Sequence, residues 1–320
     1  MRASPQRAFR AGPFVPATFA DEAIAGLSAK PKWLLAKYFY DRAGSELFEQ
    51  ITALPEYYPT RAELSILEVH GSEIARLLPA GTALVEFGAG SSRKVRLLLR
   101  AAETLGAYVP VDISGEFLQA EVAGLGRDFP ALEIIPVATD FMQPFELPAE
   151  VNSRPRAGFF PGSTIGNFEP KDAKAFIRNA GQVLGRSAVL IVGVDLIKDQ
   201  AVLHAAYNDK AGVTAAFNLN LLRRMNRELG ADFDLESFAH SAFFNREQNR
   251  IEMHLVSMRP QTVRVAGKKF RFGAGESIHT ESSYKYSIDS FRALARAAGA
   301  RPVMVWTDAD GCFSVHALKY

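Results

Sequence analysis

Three hundred and twenty residues suffice for one or two packed cores, since a single core rarely grows past about 250 residues before the chain divides. With 48% hydrophobic and 22% charged residues the composition is that of an ordinary globular chain, which excludes wholesale disorder and a membrane-dominated protein. Thirty-seven Lys+Arg against 35 Asp+Glu leave +2, too small an excess to gather nucleic acid or anionic lipid, so neither is an expected partner.

A lone cysteine, Cys312, excludes an intrachain disulfide framework and a zinc site built on several thiolates, and makes the cytoplasm the expected compartment. The first 20 residues carry Arg2, Arg7 and Arg10 with no apolar stretch after them, and a loose N-terminal arm is expected over residues 1–30. Between 31 and 63 aromatics alternate with charges, and Pro55 and Pro59 bracket Tyr57 and Tyr58, which predicts helices on either side of a proline-bounded turn. Residues 83–87 (ALVEF) then predict a strand, Gly88-Ala89-Gly90 a turn, and Val95, Leu98, Leu99 and Ala102 one face of a helix. The order recurs. Residues 108–111 lead into Asp112 and a helix through Leu125, residues 133–137 lead to Asp140-Phe141, and residues 158–160 lead to Pro161-Gly162. Ala173, Phe176, Ile177, Ala180, Val183 and Leu184 have helical spacing, and 188–194 (AVLIVGV) reads as a strand buried on both faces. Five alternations predict a parallel α/β sheet with right-handed crossovers.

After Asp195 the pattern changes. A helix is predicted over 201–229, a strand over 250–258 (RIEMHLVSM), and a hairpin over 262–272 turning near Ala266-Gly267. A helix over 287–298, stopped by Gly299, and strands over 302–307 and 312–318 complete the chain. A doubly wound sheet closed by an antiparallel hairpin resembles the class I methyltransferase fold. The expected fold class is therefore α/β, a Rossmann-like sheet with an inserted α+β substrate-binding subdomain. Its core would take residues 31–198, the insertion 199–285, and the return to the core 286–320.

Glycine between a strand and a helix lets backbone approach a ligand, a role open to Gly88 and Gly90, although G-x-G also marks ordinary tight turns. Asp112, 22 positions past Gly90, can accept both hydroxyls of a ribose; it can also be a helix N-terminal acid. A dinucleotide site would want glycine at position 93, where Arg93 stands, which disfavours a nucleotide-linked oxidoreductase. S-adenosylmethionine has no phosphate. Lys94 or helix amides suit its carboxylate and Asp140 its adenine amino group, with Phe141 beside the ring or simply in the core.

The segments PKWLLAKYFYDRAGSELFEQI, ALPEYYPTRAE, EFGAGSSRK, VPVDIS, FFPGSTIGNF, GVDLIKD, AAYND, RIEMHL and TESSYKY resemble the histidine-specific Nα-methyltransferases of ergothioneine biosynthesis, collinearly from about residue 31 to the C-terminus. The resemblance implies that Tyr40 and Tyr57 border the methyl-transfer site, Tyr40 also near the cofactor and Tyr57 also near the substrate. It implies that Asn167 and Tyr207 bind the amino-acid head group, and that Glu281, Ser283 and Met253 face the imidazole. Gly88, Lys94, Asp112, Asp140 and Phe141 fall on the family's cofactor positions. It further implies three successive methylations of L-histidine to the trimethylated betaine, hercynine, with release of S-adenosylhomocysteine.

The chemistry accounts for these residue types. In-line displacement needs an acceptor nitrogen with a free lone pair about 3 to 3.5 Å from the methyl carbon, and an ammonium cannot react. Holding the carboxylate at one end and the imidazole at the other would aim the α-nitrogen, with no metal required. Other readings of single residues stay open: Asn167 as a cap for the helix near Pro170, Glu281 as a solvated strand charge paired with Lys285, Met253 and the tyrosines as packing. The six histidines show no metal-ligand spacing, Gly162-Ser163-Thr164-Ile165-Gly166 is not a nucleophile elbow, and Lys268-Lys269-Phe270-Arg271 is too short for a nucleic-acid footprint. The expected molecule is a monomer acting on a small amino acid. The rival readings are the same chemistry on another amino acid or aromatic amine, and a nonenzymatic S-adenosylmethionine sensor.

Overall fold

A computed structural model describes residues 18–320 apart from 114 and 144, and opens on a capped helix, α1 (Phe19–Ser28). Thr18 Oγ1 accepts the Asp21 N–H at 3.2 Å while the Asp21 carboxylate accepts the Thr18 N–H at 3.1 Å, a reciprocal box that satisfies two orphan donors. The arm expected over residues 1–30 is thus helical from residue 19; residues 1–17 lie outside the described residues. A short strand β1 (Lys32–Trp33) precedes α2 (Arg42–Ala53) and α3 (Tyr58–Ala75), the two helices expected around the proline-bounded turn. Pro59 sits in the first turn of α3, where its missing N–H has no helical partner to lose.

Strand β2 (Ala83–Phe87) is buried at every position, as a strand covered on both faces must be. It is followed by α4 (Arg93–Ala101), β3 (Ala107–Asp112) and α5 (Gly115–Asp128). The single strand expected over 133–137 is two pieces, β4 (Glu133–Ile134) and β5 (Val137–Ala138), both paired with β3. Pro136 lies between them and has no N–H with which to carry the ladder. Next come β6 (Arg156–Phe160), α6 (Pro170–Leu184) and β7 (Val189–Asp195), again buried throughout.

The helix expected over 201–229 is also two pieces, α7 (Gln200–Tyr207) and α8 (Val213–Leu229). Between them Gly212 has φ 74°, a backbone state that ends a right-handed helix, and the Asp209 carboxylate accepts the N–H groups of Val213 at 2.9 Å and Thr214 at 2.8 Å. Strands β8 (Phe238–Asn245), β9 (Arg250–Ser257), β10 (Gln261–Val265), β11 (Lys268–Phe272) and β12 (Ser277–Tyr284) follow, with β10 and β11 turning through Ala266 and Gly267 as expected. Helix α9 (Ile288–Ala297) and the hairpin β13 (Arg301–Thr307) and β14 (Phe313–Lys319) end the chain.

The large sheet runs β13-β14-β7-β6-β2-β3-β4, with β5 also on β3. Its central pairs are parallel and its final hairpin antiparallel, so the fold is the Rossmann-like class I methyltransferase sheet. A second sheet runs β1-β12-β9-β8. Its first member matters for the domain division. β1 pairs with β12 almost 250 residues away, and Ala23, Leu27, Phe39 and Ile51 pack with Phe217, Leu221, Met253 and Ile278 in one apolar cluster. Packing therefore joins α1 through α2 to the second sheet, whereas a boundary at residue 30 would leave β1 and α2 with the Rossmann core. Among the described residues no helix is long and apolar enough to cross a membrane.

Gly158, in β6, has no room for a side chain. A Cβ there would lie 2.6 Å from Leu190 Cδ1 and 2.8 Å from Leu184 Cδ1. Gly158→Ala should destabilise the chain by about 1 to 3 kcal/mol in urea unfolding through overpacking. Because it is a packing site, S-adenosylhomocysteine affinity per folded molecule, read by calorimetry, should stay within twofold of the parent.

Candidate active site

All twelve residues singled out from the sequence, from Tyr40 to Ser283, line one cavity of about 970 Å³ to which both sheets contribute. One end is built at the carboxyl edge of the large sheet, where open α/β sheets place their ligands. β2 runs into Gly88, whose φ of 71° is a glycine conformation, and the N–H groups of Gly88 and Ala89 both donate to Val111 O, at 2.8 and 3.0 Å. Asp112 ends the neighbouring strand and also faces the cavity. Asp140 Oδ1 accepts the Met142 N–H at 2.9 Å, closing a turn that sets Phe141 edge-on to Phe160 and Phe176, with ring centroids 5.8 and 5.9 Å away. Phe141 is both core and cavity wall, so the two expectations for it are not exclusive.

Lys94, in the first turn of α4, reaches the carboxylate of Glu63 at 2.7 Å. Glu63 on α3 is fully buried and accepts the Gly162 N–H at 2.8 Å as well. The ammonium is therefore held in place, and its remaining N–H donors are available for an anion. Ser92 N–H, at the same helix end, donates to the Glu121 carboxylate at 3.0 Å, an acid placed where a phosphate would be repelled. These residues fit S-adenosylmethionine: carboxylates for its hydroxyl and amino groups, an ammonium for its carboxylate, a ring for its adenine, and no provision for a pyrophosphate.

The opposite end is walled by the second sheet. Glu281 and Ser283, two apart on β12, share its cavity face, and a register shift between His279 and Glu281 re-aims the strand there. Glu281 is only 9% exposed, and burial, offset in part by the charge of Lys285, pushes its carboxyl up to about 7. It is not a solvated charge paired with Lys285. The Lys285 ammonium instead donates to Ser283 Oγ at 2.6 Å, Tyr207 Oη at 3.1 Å and Asp195 Oδ2 at 2.8 Å. Asp195 also receives Lys198 at 2.5 Å and the Tyr58 hydroxyl at 2.8 Å. Burial works against the Asp195 charge, yet the two ammonium groups hold its carboxyl below the usual range.

Between the two ends lie aromatic side chains. Tyr57, just ahead of α3, meets Tyr207, the last residue of α7, edge-on at 6.4 Å, while Tyr40 packs on Phe48 at 5.6 Å and Phe217 at 5.8 Å. Burial, with neighbouring carboxylates and phenols adding to it, pushes the hydroxyls of Tyr40, Tyr57 and Tyr207 far up, so all three stay protonated donors. Asn167 closes the short helical turn Thr164–Asn167 and is not the cap of α6, whose N-cap is Glu169. Met253 is buried on β9 and forms part of the wall.

Sequence reasoning missed Glu63, Asp195 and Thr214. The Thr214 hydroxyl is buried beside the Asp209 carboxylate, and the residue lines the cavity. Only a charged residue inside an apolar helical face (Glu63) or at the end of an apolar strand (Asp195) hinted at the first two. Glu252, His254 and His279 also bring one ligand atom each within 4.8 Å of one another, a grouping that chain spacing conceals. Arg250 and Asn245 already hold the Glu252 carboxylate, at 2.8 and 2.9 Å.

A family model described as histidine-specific, S-adenosylmethionine-dependent methyltransferase matches residues 19–320. The chain is 44% identical over 296 residues to the histidine N-alpha-methyltransferase of Mycolicibacterium smegmatis, covering 91% of each chain. It is 42% identical over 303 residues to the protein of that name from Mycobacterium tuberculosis, covering 92% of each. It is 32% identical to ergothioneine biosynthesis protein 1 of Neurospora crassa, covering 87% of this chain and 32% of that one.

Gly193 makes room for Glu63: a Cβ there would stand 2.0 Å from Glu63 Oε1. Gly193→Ala should force the carboxylate away from Gly162 and Lys94 and cost about 1 to 3 kcal/mol of stability. Unlike Gly158→Ala, it should also weaken S-adenosylhomocysteine binding at least fivefold in calorimetry.

Proposed function

The chain belongs to the histidine-specific, S-adenosylmethionine-dependent methyltransferase family, and from that membership we propose that it methylates the α-nitrogen of free L-histidine three times, giving hercynine, as in ergothioneine biosynthesis. The observation that carries the reading is the single cavity with an S-adenosylmethionine-fitting edge at one end and a buried acid-and-hydroxyl wall, Glu281 with Ser283, at the other.

When bound, S-adenosylmethionine supplies a methyl group activated by its sulfonium. The chain's own residues bind, orient and exclude water. In this reading Gly88, Asp112, Asp140 and Phe141 seat the adenosine and Lys94 the methionine carboxylate. Asn167 and Tyr207 hold the histidine carboxylate, while Glu281 accepts an imidazole N–H and Ser283 meets the other side of the ring, with Met253 packed against it. A clamp at both ends of the amino acid fixes the α-nitrogen between Tyr40 and Tyr57. Holding a reactant in a near-attack geometry is worth several kcal/mol of barrier. These two phenols keep their protons, so they act as donors and apolar walls, and the amine must arrive already neutral. The proposal extends to a cytoplasmic monomer with no nucleic-acid or membrane partner.

Incubation of the purified chain with S-adenosylmethionine and single amino acids, read by mass spectrometry, should show gains of one, two and three methyl groups on histidine. Gains on tryptophan or tyrosine without any on histidine would transfer the activity to the rival substrate class, and binding of cofactor with no methylation of any amine would make the chain a sensor.

The ionisation of Glu281 gives histidine binding a pH dependence. Its carboxyl must be charged to accept best, so histidine affinity measured with S-adenosylhomocysteine bound should rise as pH passes about 7, and Glu281→Gln should flatten that rise and weaken binding at pH 8 at least tenfold. The sign for stability is opposite. Between the ordinary 4.5 and about 7 the folded state binds more protons at Glu281 than the unfolded chain, so wild-type stability should fall across that window relative to Glu281→Gln, read by urea unfolding.

A further inference from the structure

The Lys285 ammonium has three N–H groups, and all three are spent inside the protein: on Asp195 Oδ2 at 2.8 Å, Ser283 Oγ at 2.6 Å and Tyr207 Oη at 3.1 Å. It is itself 3% exposed and lies 5.0 Å from the centre of the Tyr207 ring. A residue so saturated has nothing left to give a ligand. Its three acceptors come from three different elements: the end of β7 in the large sheet, β12 in the second sheet, and the end of α7. Two of them, Ser283 and Tyr207, are hydroxyls on the substrate wall and are hydrogen-bonded to each other at 2.8 Å.

Lys285 can only donate, so it occupies one lone pair on each hydroxyl oxygen. The two hydroxyls carry two protons between them, and their mutual bond consumes one. One O–H is left to point into the cavity, and its direction is restricted because each oxygen already has two partners. Without the ammonium each hydroxyl regains a lone pair and the Ser283–Tyr207 bond can reverse its donor and acceptor, so the wall would lose its single aimed donor while keeping its shape.

We propose that Lys285 is a positioning residue: anchored by Asp195, it orients Ser283 and Tyr207 so that the pair presents one directed O–H to the amino-acid substrate, which makes it a determinant of histidine recognition and not of cofactor binding. The inference rests on the proposed histidine reading. Lys94, at the cofactor end, is held by Glu63 and not by this network. Asp195 keeps Lys198 and the Tyr58 hydroxyl when Lys285 is replaced, so its charge is not left alone in the interior.

The test is steady-state kinetics and calorimetry on Lys285→Met and Lys285→Gln in the full chain, alone and combined with Ser283→Ala. Both single variants should raise the KM for histidine tenfold or more while the KM for S-adenosylmethionine and the affinity for S-adenosylhomocysteine stay within twofold. In the Ser283→Ala background the further histidine penalty from Lys285→Met should shrink to threefold or less, since the ammonium then has one fewer hydroxyl to orient. Equal losses for both ligands would overturn the proposal, as would an undiminished penalty in the Ser283→Ala background. Failure of both Lys285 variants to fold would also overturn it, by assigning the ammonium to stability. A wild-type chain that methylates another amine and not histidine would defeat the functional reading first, and is seen separately because it requires no variant.

Discussion

A carboxylate, two ammonium groups and a phenol, all shielded from water, meet where the two sheets join. Asp195 is the last residue of β7, its own N–H donates to Ser163 Oγ at 2.9 Å, and its carbonyl accepts the Tyr286 N–H at 3.1 Å. Taking these charges out of water is expensive, and they tolerate it only because nearly every donor and acceptor has a partner. A well-packed apolar substitute could be as stable. The charges instead impose geometry: backbone from β7, the turn after β6 and the strand-to-helix passage after β12 must all arrive in one arrangement for the network to close.

That closure explains why a cavity shared by two sheets has a definite shape. Its cofactor end is rigid because it grows from strand ends and a helix start within one parallel sheet, and the Lys94–Glu63–Gly162 contacts tie α3 and α4 to that edge. Its substrate end comes from the second sheet, which is completed by the early segment β1 through a pairing across nearly the whole chain. The early aromatics Tyr40, Phe48 and Tyr57 are thereby brought against Phe217 and Tyr207. Polar recognition groups and an apolar, water-excluding middle follow from the same packing.

The two ends also divide the electrostatic labour. Glu281 lies where burial raises its carboxyl, and Lys285, whose charge partly offsets that rise, has its three donors committed elsewhere. A carboxyl with no fixed partner among the described residues is poised for an incoming N–H, whereas a carboxylate already neutralised, such as Glu63 or Asp195, holds structure. The distinction between an acid that binds and an acid that braces rests on who occupies its oxygens.

Much of this was legible in the chain. The apolar runs of β2 and β7, the helical spacing of α6 and the glycine-ended α9 read directly, because local periodicity and turn chemistry decide them. Turn chemistry and spacing pointed to Gly88, Lys94, Asp112, Asp140 and Phe141, while Tyr40, Tyr57, Asn167, Tyr207, Met253, Glu281 and Ser283 came from the family resemblance; all twelve line the cavity. The strand interrupted at Pro136 and the helix interrupted at Gly212 each carried a visible breaker inside an otherwise continuous pattern. What composition and spacing could not carry was anything decided by contacts between distant residues: that β1 completes the second sheet with α1 and α2 packed on it, that Glu281 is buried and not paired with Lys285, that Asp195 and Thr214 line the cavity, and that Glu63 braces Lys94 beneath it. Periodicity records which face of an element avoids water, so the sequence alone determined the elements and the reactive residue types; which partner each buried charge and hydroxyl meets depends on long-range pairing, and only the tertiary structure decided it.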